Sequence, residues 1–307
     1  MESFSLSKEA VFFVDRSINN QRKNRVRDIS FLIALPLFAT PWVSYQIISK
    51  VEIREAWETI HVIEGKEYNP IRNQALERLS QLGAQLSLAS EIGRLEGVYF
   101  GNISLNGSKL QSANLVNANL KSANLRKANL TEADLSGVNL INANLKSASL
   151  INTNLSDANL SGVNFIGVKL SNADLTSASL NLANLTSANL SDADLINANL
   201  SNANLTNANL SDADLINANL SNTNLTNANL SNAKLSDVIN LTSKQIKSAC
   251  NWENALYKGN YEEIQDLQVD GLYDWKLDEV ANQKYIEKLK ADKASEPEKP
   301  VDCSRWE

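Results

Sequence analysis

Residues 191–210 read SDADLINANLSNANLTNANL, and residues 211–230 read SDADLINANLSNTNLTNANL. The two blocks differ only at Ala203 against Thr223. Identity at a spacing of 20 contains a shorter period, because leucine stands at every fifth residue within each block. Followed outward, that frame runs from Leu105 to Leu235 through 27 positions, and only Phe165 departs from leucine. Two residues before most of these leucines stands alanine, as at Ala113, Ala118, Ala123 and Ala128. The frame extends back through Phe100 and Leu95, with Val98 as the small partner. A period of five fits neither the helix, at 3.6, nor the strand, at 2. Four five-residue units therefore make one coil of a solenoid, each turning the chain through about a quarter circle and placing one Leu and one Ala inside. Coils stacked at the strand spacing of about 4.8 Å would make a rod roughly 32 Å long.

Residues 101–240 contain 32 asparagines. Asn124, Asn144, Asn164, Asn184, Asn204 and Asn224 lie 20 apart, so the coil places them in one column. Stacked amides there are expected to hydrogen-bond along the column. Asn also suits the repeated turns, because its short polar arm can bond the backbone. An unbroken frame of core-type leucines argues against a disordered polar tract.

The units Ala113-Asn114-Leu115 and Ala193-Asp194-Leu195 follow the pattern A-[DN]-L-x-x, which resembles the pentapeptide-repeat family over roughly residues 93–240. The resemblance implies an all-β solenoid, a right-handed quadrilateral β-helix of about 27 five-residue units, four per coil, whose central residue and the small residue two before it point inward. Departures are mild: Phe165 for a central Leu, and Val138, Val163, Val168, Thr153 and Thr223 for Ala. They suggest a local widening near residue 165. The flanks resemble those of bacterial, especially cyanobacterial, members: Ala56-Trp57-Glu58 and Ala75-Leu76-Glu77-Arg78-Leu79 before the coil, and Leu241-Thr242-Ser243-Lys244-Gln245-Ile246 after it.

A solenoid needs caps at its ends. Asn69 as N-cap and Pro70 at the first helical position predict a helix to about Leu82 within a helical lead-in over 50–92. After the coils, Thr242 and Gln245 form a capping-box pattern independently of the family. A helical cap is expected over 241–294. It comprises a segment from Ser243 to about Tyr257 and a helix from Leu277 to Ala294 with Val280, Ile286 and Leu289 on its apolar side. Residues 295–307 read as a solvated tail.

Ile29 to Ser49 carries no charge. As a helix of about 20 residues it would span a bilayer core of roughly 30 Å. Pro36 and Pro41 are tolerated better in a membrane span than in a soluble helix. Trp42 and Tyr45 suit a headgroup boundary. A buried soluble helix lacks apolar neighbours, and a cleaved signal peptide lacks a good small-x-small site. The reading is an N-terminal transmembrane helix over 29–49, and family members with a hydrophobic N-terminus are commonly membrane proteins. Arg16, Arg22, Lys23, Arg25 and Arg27 in the basic segment 1–28 outnumber Lys50, Arg54 and Lys66 beyond the span. The N-terminus is then expected in the cytoplasm, and the repeats in the periplasm or an equivalent lumen.

The whole chain of 307 residues has a net charge of −6, which argues against a nucleic-acid partner. One His and two Cys exclude a Cys/His zinc framework, and no phosphate loop or nucleophile elbow appears. No cofactor, metal or catalytic residue is expected. His61, among Ile60, Val62 and Ile63, reads as structural. Cys250 and Cys303 are free to pair in an oxidising compartment, although Cys303 lies in the tail.

One pattern has a functional reading. Asp134, Asp174, Asp194 and Asp214 share a column, and Glu132, Asp192 and Asp212 share another two residues earlier. Asn154 interrupts the first column and Lys234 ends it. The seven carboxylates form either a solvated face or a docking strip for a basic protein partner or for cations. Three functions compete: a non-enzymatic membrane-anchored scaffold, a soluble DNA mimic that binds gyrase as some family members do, and an enzyme. The mimic needs a strongly acidic rod, whereas residues 101–240 carry seven basic and nine acidic groups. The scaffold is the expectation.

Overall fold

The computed structural model describes residues 100–263 and 273–306. The proposed span 29–49, the lead-in 50–92 and His61 lie outside the described residues. Among the described residues, no helix is long and apolar enough to cross a membrane.

From residue 104 to 239 the chain forms parallel bridges between every fifth residue, the one before each central leucine, and the residue 20 later, as in Asn124↔Asn144 and Asp194↔Asp214. Four five-residue units therefore close one coil, as the spacing of the repeats required. Each unit builds a turn from local chemistry. Leu195 carbonyl accepts from the Ala198 N–H at 3.0 Å, and between them Asn197 sits at φ 59°. A turn of this kind needs a left-handed third residue, which Asn, Asp and Gly tolerate. Gly107, Gly137, Gly162 and Gly167 fill the same position with positive φ.

The remaining backbone groups bond between coils. Leu195 N–H donates to the Asp214 carbonyl at 2.7 Å, and Asp194 N–H donates to the Ala173 carbonyl at 2.9 Å. The interior holds the leucine and alanine columns. Leu195 and Leu205 are fully buried, Ala193 and Ala203 nearly so, and Phe165 takes its place among them without interrupting the bridges. Thr153 and Thr223 replace alanine at a buried position, and each satisfies its hydroxyl by donating to a carbonyl one coil below. The bonds are to Leu130 O at 2.9 Å and to Leu200 O at 2.8 Å. A buried hydroxyl without such a partner would cost about 1–3 kcal/mol.

The expected amide ladder through Asn124 to Asn224 does not form. Each of these side chains instead accepts from the backbone N–H two residues on, as Asn204 Oδ1 does from Thr206 N at 3.0 Å. Asn144 and Asn184 bond likewise to Lys146 N and Thr186 N at 3.2 Å. At Asn184, Asn204 and Asn224 the same Oδ1 also accepts from the threonine hydroxyl two residues on, at 2.7, 2.6 and 2.7 Å, which occupies the acceptor a ladder would use. Amides stack between coils elsewhere, through Asn189, Asn209 and Asn229, with Nδ2 to Oδ1 distances of 3.3 and 2.9 Å.

After the coils, α1 (Ser243–Lys247) begins at Thr242 with both bonds of the capping box. Gln245 Nε2 also donates to the Leu220 and Thr223 carbonyls at 2.9 Å, closing the edge of the last coils. A 3-10 turn follows (Trp252–Asn254). Two more bridges, Asn229↔Cys250 and Lys234↔Leu256, extend the ladder into this cap. The cap is less helical than expected. An antiparallel hairpin intervenes, β1 (Gly259–Glu263) paired with β2 (Tyr273–Leu277). Then α2 (Glu279–Ala291) starts two residues after Leu277, capped by Asp278, whose carboxylate accepts from Ala281 N.

Ile286 and Leu289 join the core, but Val280 is 80% exposed, so the apolar side of α2 is narrower than the sequence spacing implied. Asn282 fastens α2 to the cap: its Oδ1 accepts from Tyr257 N at 2.7 Å and its Nδ2 donates to Ala255 O. Tyr257 is buried beside Tyr285, and burial pushes its hydroxyl well above the ordinary range.

Within the expected tail 295–307, the described residues 295–306 are not free in solvent. Within it, Cys303 is bonded to Cys250, Asp302 N donates to Asn227 Oδ1 at 3.0 Å, and Trp306 Nε1 donates to the Asn227 carbonyl at 2.9 Å. The pairing of Cys250 with Cys303, which the sequence left open, joins positions 53 residues apart and ties this segment down.

Candidate functional site

Each column of the coil has its own environment, and the carboxylates occupy two kinds. Asp134, Asp174, Asp194 and Asp214 sit just before the central leucine and are half-buried. Each accepts through Oδ1 from the backbone N–H two residues on. The donors are Ser136, Thr176, Ile196 and Ile216, at 3.1, 2.9, 3.0 and 3.2 Å. Aspartate is thus isosteric with the asparagines that make the same bond elsewhere on the rod. Glu132, Asp192 and Asp212 occupy the left-handed corner position, at φ 60°, 57° and 58°, and are exposed. Asp212 accepts from Asn232 Nδ2 at 3.0 Å, and Glu132 from the Ser112 hydroxyl at 3.4 Å.

The structure brings all seven residues to one face and one of its edges. It also adds two that the sequence reading left out. Asp157 and Asp237 stand at exposed left-handed corners on the opposite edge of the same face. All nine acidic residues of 101–240 therefore lie on one of the four faces and its two bounding corners. Sorting the acids by position within the 20-residue coil would have found them. Six of the seven basic residues in that range lie elsewhere: Lys109 and Lys169 on an adjoining face, and Lys121, Arg126, Lys127 and Lys146 at the two corners that do not bound the acidic face. The seventh, Lys234, closes the aspartate column and pairs with Asp214 at 3.1 Å.

Crowding leaves a trace at the middle of the column. Burial is the largest cause holding the Asp194 carboxyl above the ordinary carboxylate range. The Ile196 amide works against it, and Asp214 and Asp174, its neighbours along the column, raise it further. Among the described residues no group of three His, Cys, Asp or Glu side chains comes together to hold a metal ion. The face is spread along the rod, and its geometry suits an extended contact.

A four-sided β-solenoid with one acidic face is a display surface, and such a fold presents side chains in columns. The chain belongs to the pentapeptide-repeat family. The family model matches in eight copies between residues 94 and 239, and the family fold is a right-handed quadrilateral β-helix. Among solved structures, HetL is a pentapeptide-repeat protein involved in heterocyst differentiation regulation in the cyanobacterium Nostoc. It is 32% identical over 53% of this chain and 77% of its own, with a TM-score of 0.30. A pentapeptide-repeat protein of the Arabidopsis thaliana thylakoid lumen is 32% identical over 37% of this chain and 71% of its own, with a TM-score of 0.30. The plasmid-mediated fluoroquinolone resistance protein QnrB1 is 21% identical over 47% of this chain and 75% of its own, with a TM-score of 0.45. No curated protein sequence matches this chain.

Proposed function

We propose that the chain is a membrane-anchored, non-enzymatic scaffold whose rod offers its acidic face to a basic protein partner. The observation that carries this reading is the placement of every acid of the repeats on one face and its two bounding corners, with every base but Lys234 elsewhere on the rod. Random placement of [DN] alternatives would scatter carboxylates around the rod. A one-sided field steers a basic partner to one orientation. The anchor is the uncharged stretch 29–49, and the basic segment 1–28 favours a cytoplasmic N-terminus. The Cys250–Cys303 disulfide supports the same topology, because such bonds persist in oxidising compartments across the membrane.

The test changes Asp174, Asp194 and Asp214 together to Asn in the full chain. Asn makes the same local bond, so the fold should stay intact or gain slightly. Stacked carboxylates about 4.8 Å apart repel by about 1 kcal/mol per pair at water-like dielectric. Capture of basic proteins from membrane extract at low salt should be lost in the triple variant and weakened in the wild type at moderate salt. An unchanged capture profile would make the face ordinary solvated surface.

A further inference from the structure

The last ten described residues run outside every coil, yet they are fastened to the rod. Trp306 and Asp302 both bond to Asn227, and Arg305 Nη1 reaches the Ser187 hydroxyl at 3.2 Å while its guanidinium lies over the Trp306 ring at 5.0 Å. Ser187 and Asn227 belong to one corner column, two coils apart, so the strap lies along that edge. Upstream it is pinned by the buried Lys247, whose ammonium donates to Glu296 at 2.9 Å and to the Asp292 carbonyl. Lys244 adds an exposed pair with Glu298 at 3.2 Å. Beyond residue 298, the only covalent attachment among the described residues is Cys303 to Cys250.

The two sulfurs differ in setting. Cys250 is 1% exposed, and its backbone is held in the ladder by bonds to Ala228 and Leu230 that do not involve the sulfur. Cys303 is partly exposed. Both line an open cavity of about 930 Å³ together with Trp252, Glu253, Lys290 and Pro300. We infer that this disulfide is a redox-modification site for a dithiol reductant, attacked at Cys303, and that its reduction unlatches residues 299–306 from the rod edge while the coils stay folded.

The exchange balances. One thiolate of the reductant attacks the Cys303 sulfur and expels the Cys250 thiolate, which takes up a proton. The second thiol of the reductant then attacks its partner sulfur in the mixed disulfide and releases Cys303. Two electrons pass from the dithiol, which leaves as a disulfide, and both cysteines become thiols. With the bond gone, the strap keeps a few surface hydrogen bonds, whereas every coil keeps its ladder and core. Release bares the edge from Ser187 to Asn227 and frees the paired Arg305 and Trp306, residue types enriched where proteins bind one another.

The experiment treats the full chain with dithiothreitol and follows it by alkylation mass, hydrogen exchange and brief trypsin digestion. Two alkyl groups should add without denaturant. Amides 301–306 should exchange at least about tenfold faster, reporting local opening. Trypsin should begin to cut after Arg305, and amides of 105–235 should keep their protection. Cys303→Ser should reproduce these changes without reductant. Alkylation that requires denaturant would overturn the inference. So would unchanged exchange at 301–306 with both thiols free, and so would loss of protection through the last coils, which would make the bond a structural staple.

Discussion

At the scale of single residues, the rod is a set of columns with strict local demands, and the exceptions are informative. The corner position requires positive φ, and it is filled mainly by Asn, Asp, Ser and Gly. Leu182 occupies it at φ 60° with 65% of its surface exposed, so it bears the left-handed penalty without the compensation of burial. Asn202 and Asn222 hold the same column. Leu182→Asn should therefore raise stability by about 0.5–1 kcal/mol, read as a higher thermal midpoint. A loss would mean that the leucine makes contacts that outweigh its backbone cost. Asp194 allows a test of charge. Its pKa is raised in the fold, so the folded chain holds a proton that the unfolded chain releases. Its cost to stability is absent below the ordinary value of 3.8, grows as pH rises, and is complete above the raised value. Asp194→Asn should melt higher than the wild type at pH 7, and the gap should close as the pH falls to 3.8. An equal gain at both pH values would trace the effect to packing rather than ionisation.

At the scale of elements, the coil was legible because its signal repeats. Leucine every fifth residue and identity at a spacing of 20 can be met only by four short sides per coil, and the bridges follow that register from 104 to 239. Leu205→Asp places a charge in the interior column and should unfold the surrounding coils, whereas Asn207→Asp sits at a corner with φ 58° and should shift the midpoint little. Equal losses in circular dichroism melts would refute the division into inside and outside columns. The caps were less legible. The capping box at Thr242 and Gln245 is local chemistry and was readable. The hairpin was half announced: in β2, Tyr273, Trp275 and Leu277 alternate with Asp274 and Lys276, whereas β1, Gly-Asn-Tyr-Glu-Glu, has one aromatic and no matching alternation to pair with it. The strap depends on Cys250 meeting Cys303 across 53 residues, a tertiary fact that no local pattern encodes. The acidic face was read for seven of its nine carboxylates. Asp157 and Asp237 were missed because they lie on the far edge, where the column contains no other acid.

At the scale of the whole molecule, the proposed scaffold has two parts, a rod with one charged face and the anchor expected at 29–49. Removal of residues 1–50 should leave a soluble, folded, β-rich product, because among the described residues one continuous core runs from Phe100 to Leu289. Circular dichroism of that product checks this directly. The scaffold reading itself depends on the anchor, since a freely diffusing rod would meet a different set of partners. The most direct measurement is a carbonate wash of membranes from cells making the full chain. Full-length protein should remain in the membrane pellet. Its recovery, intact, in the soluble fraction would contradict the account.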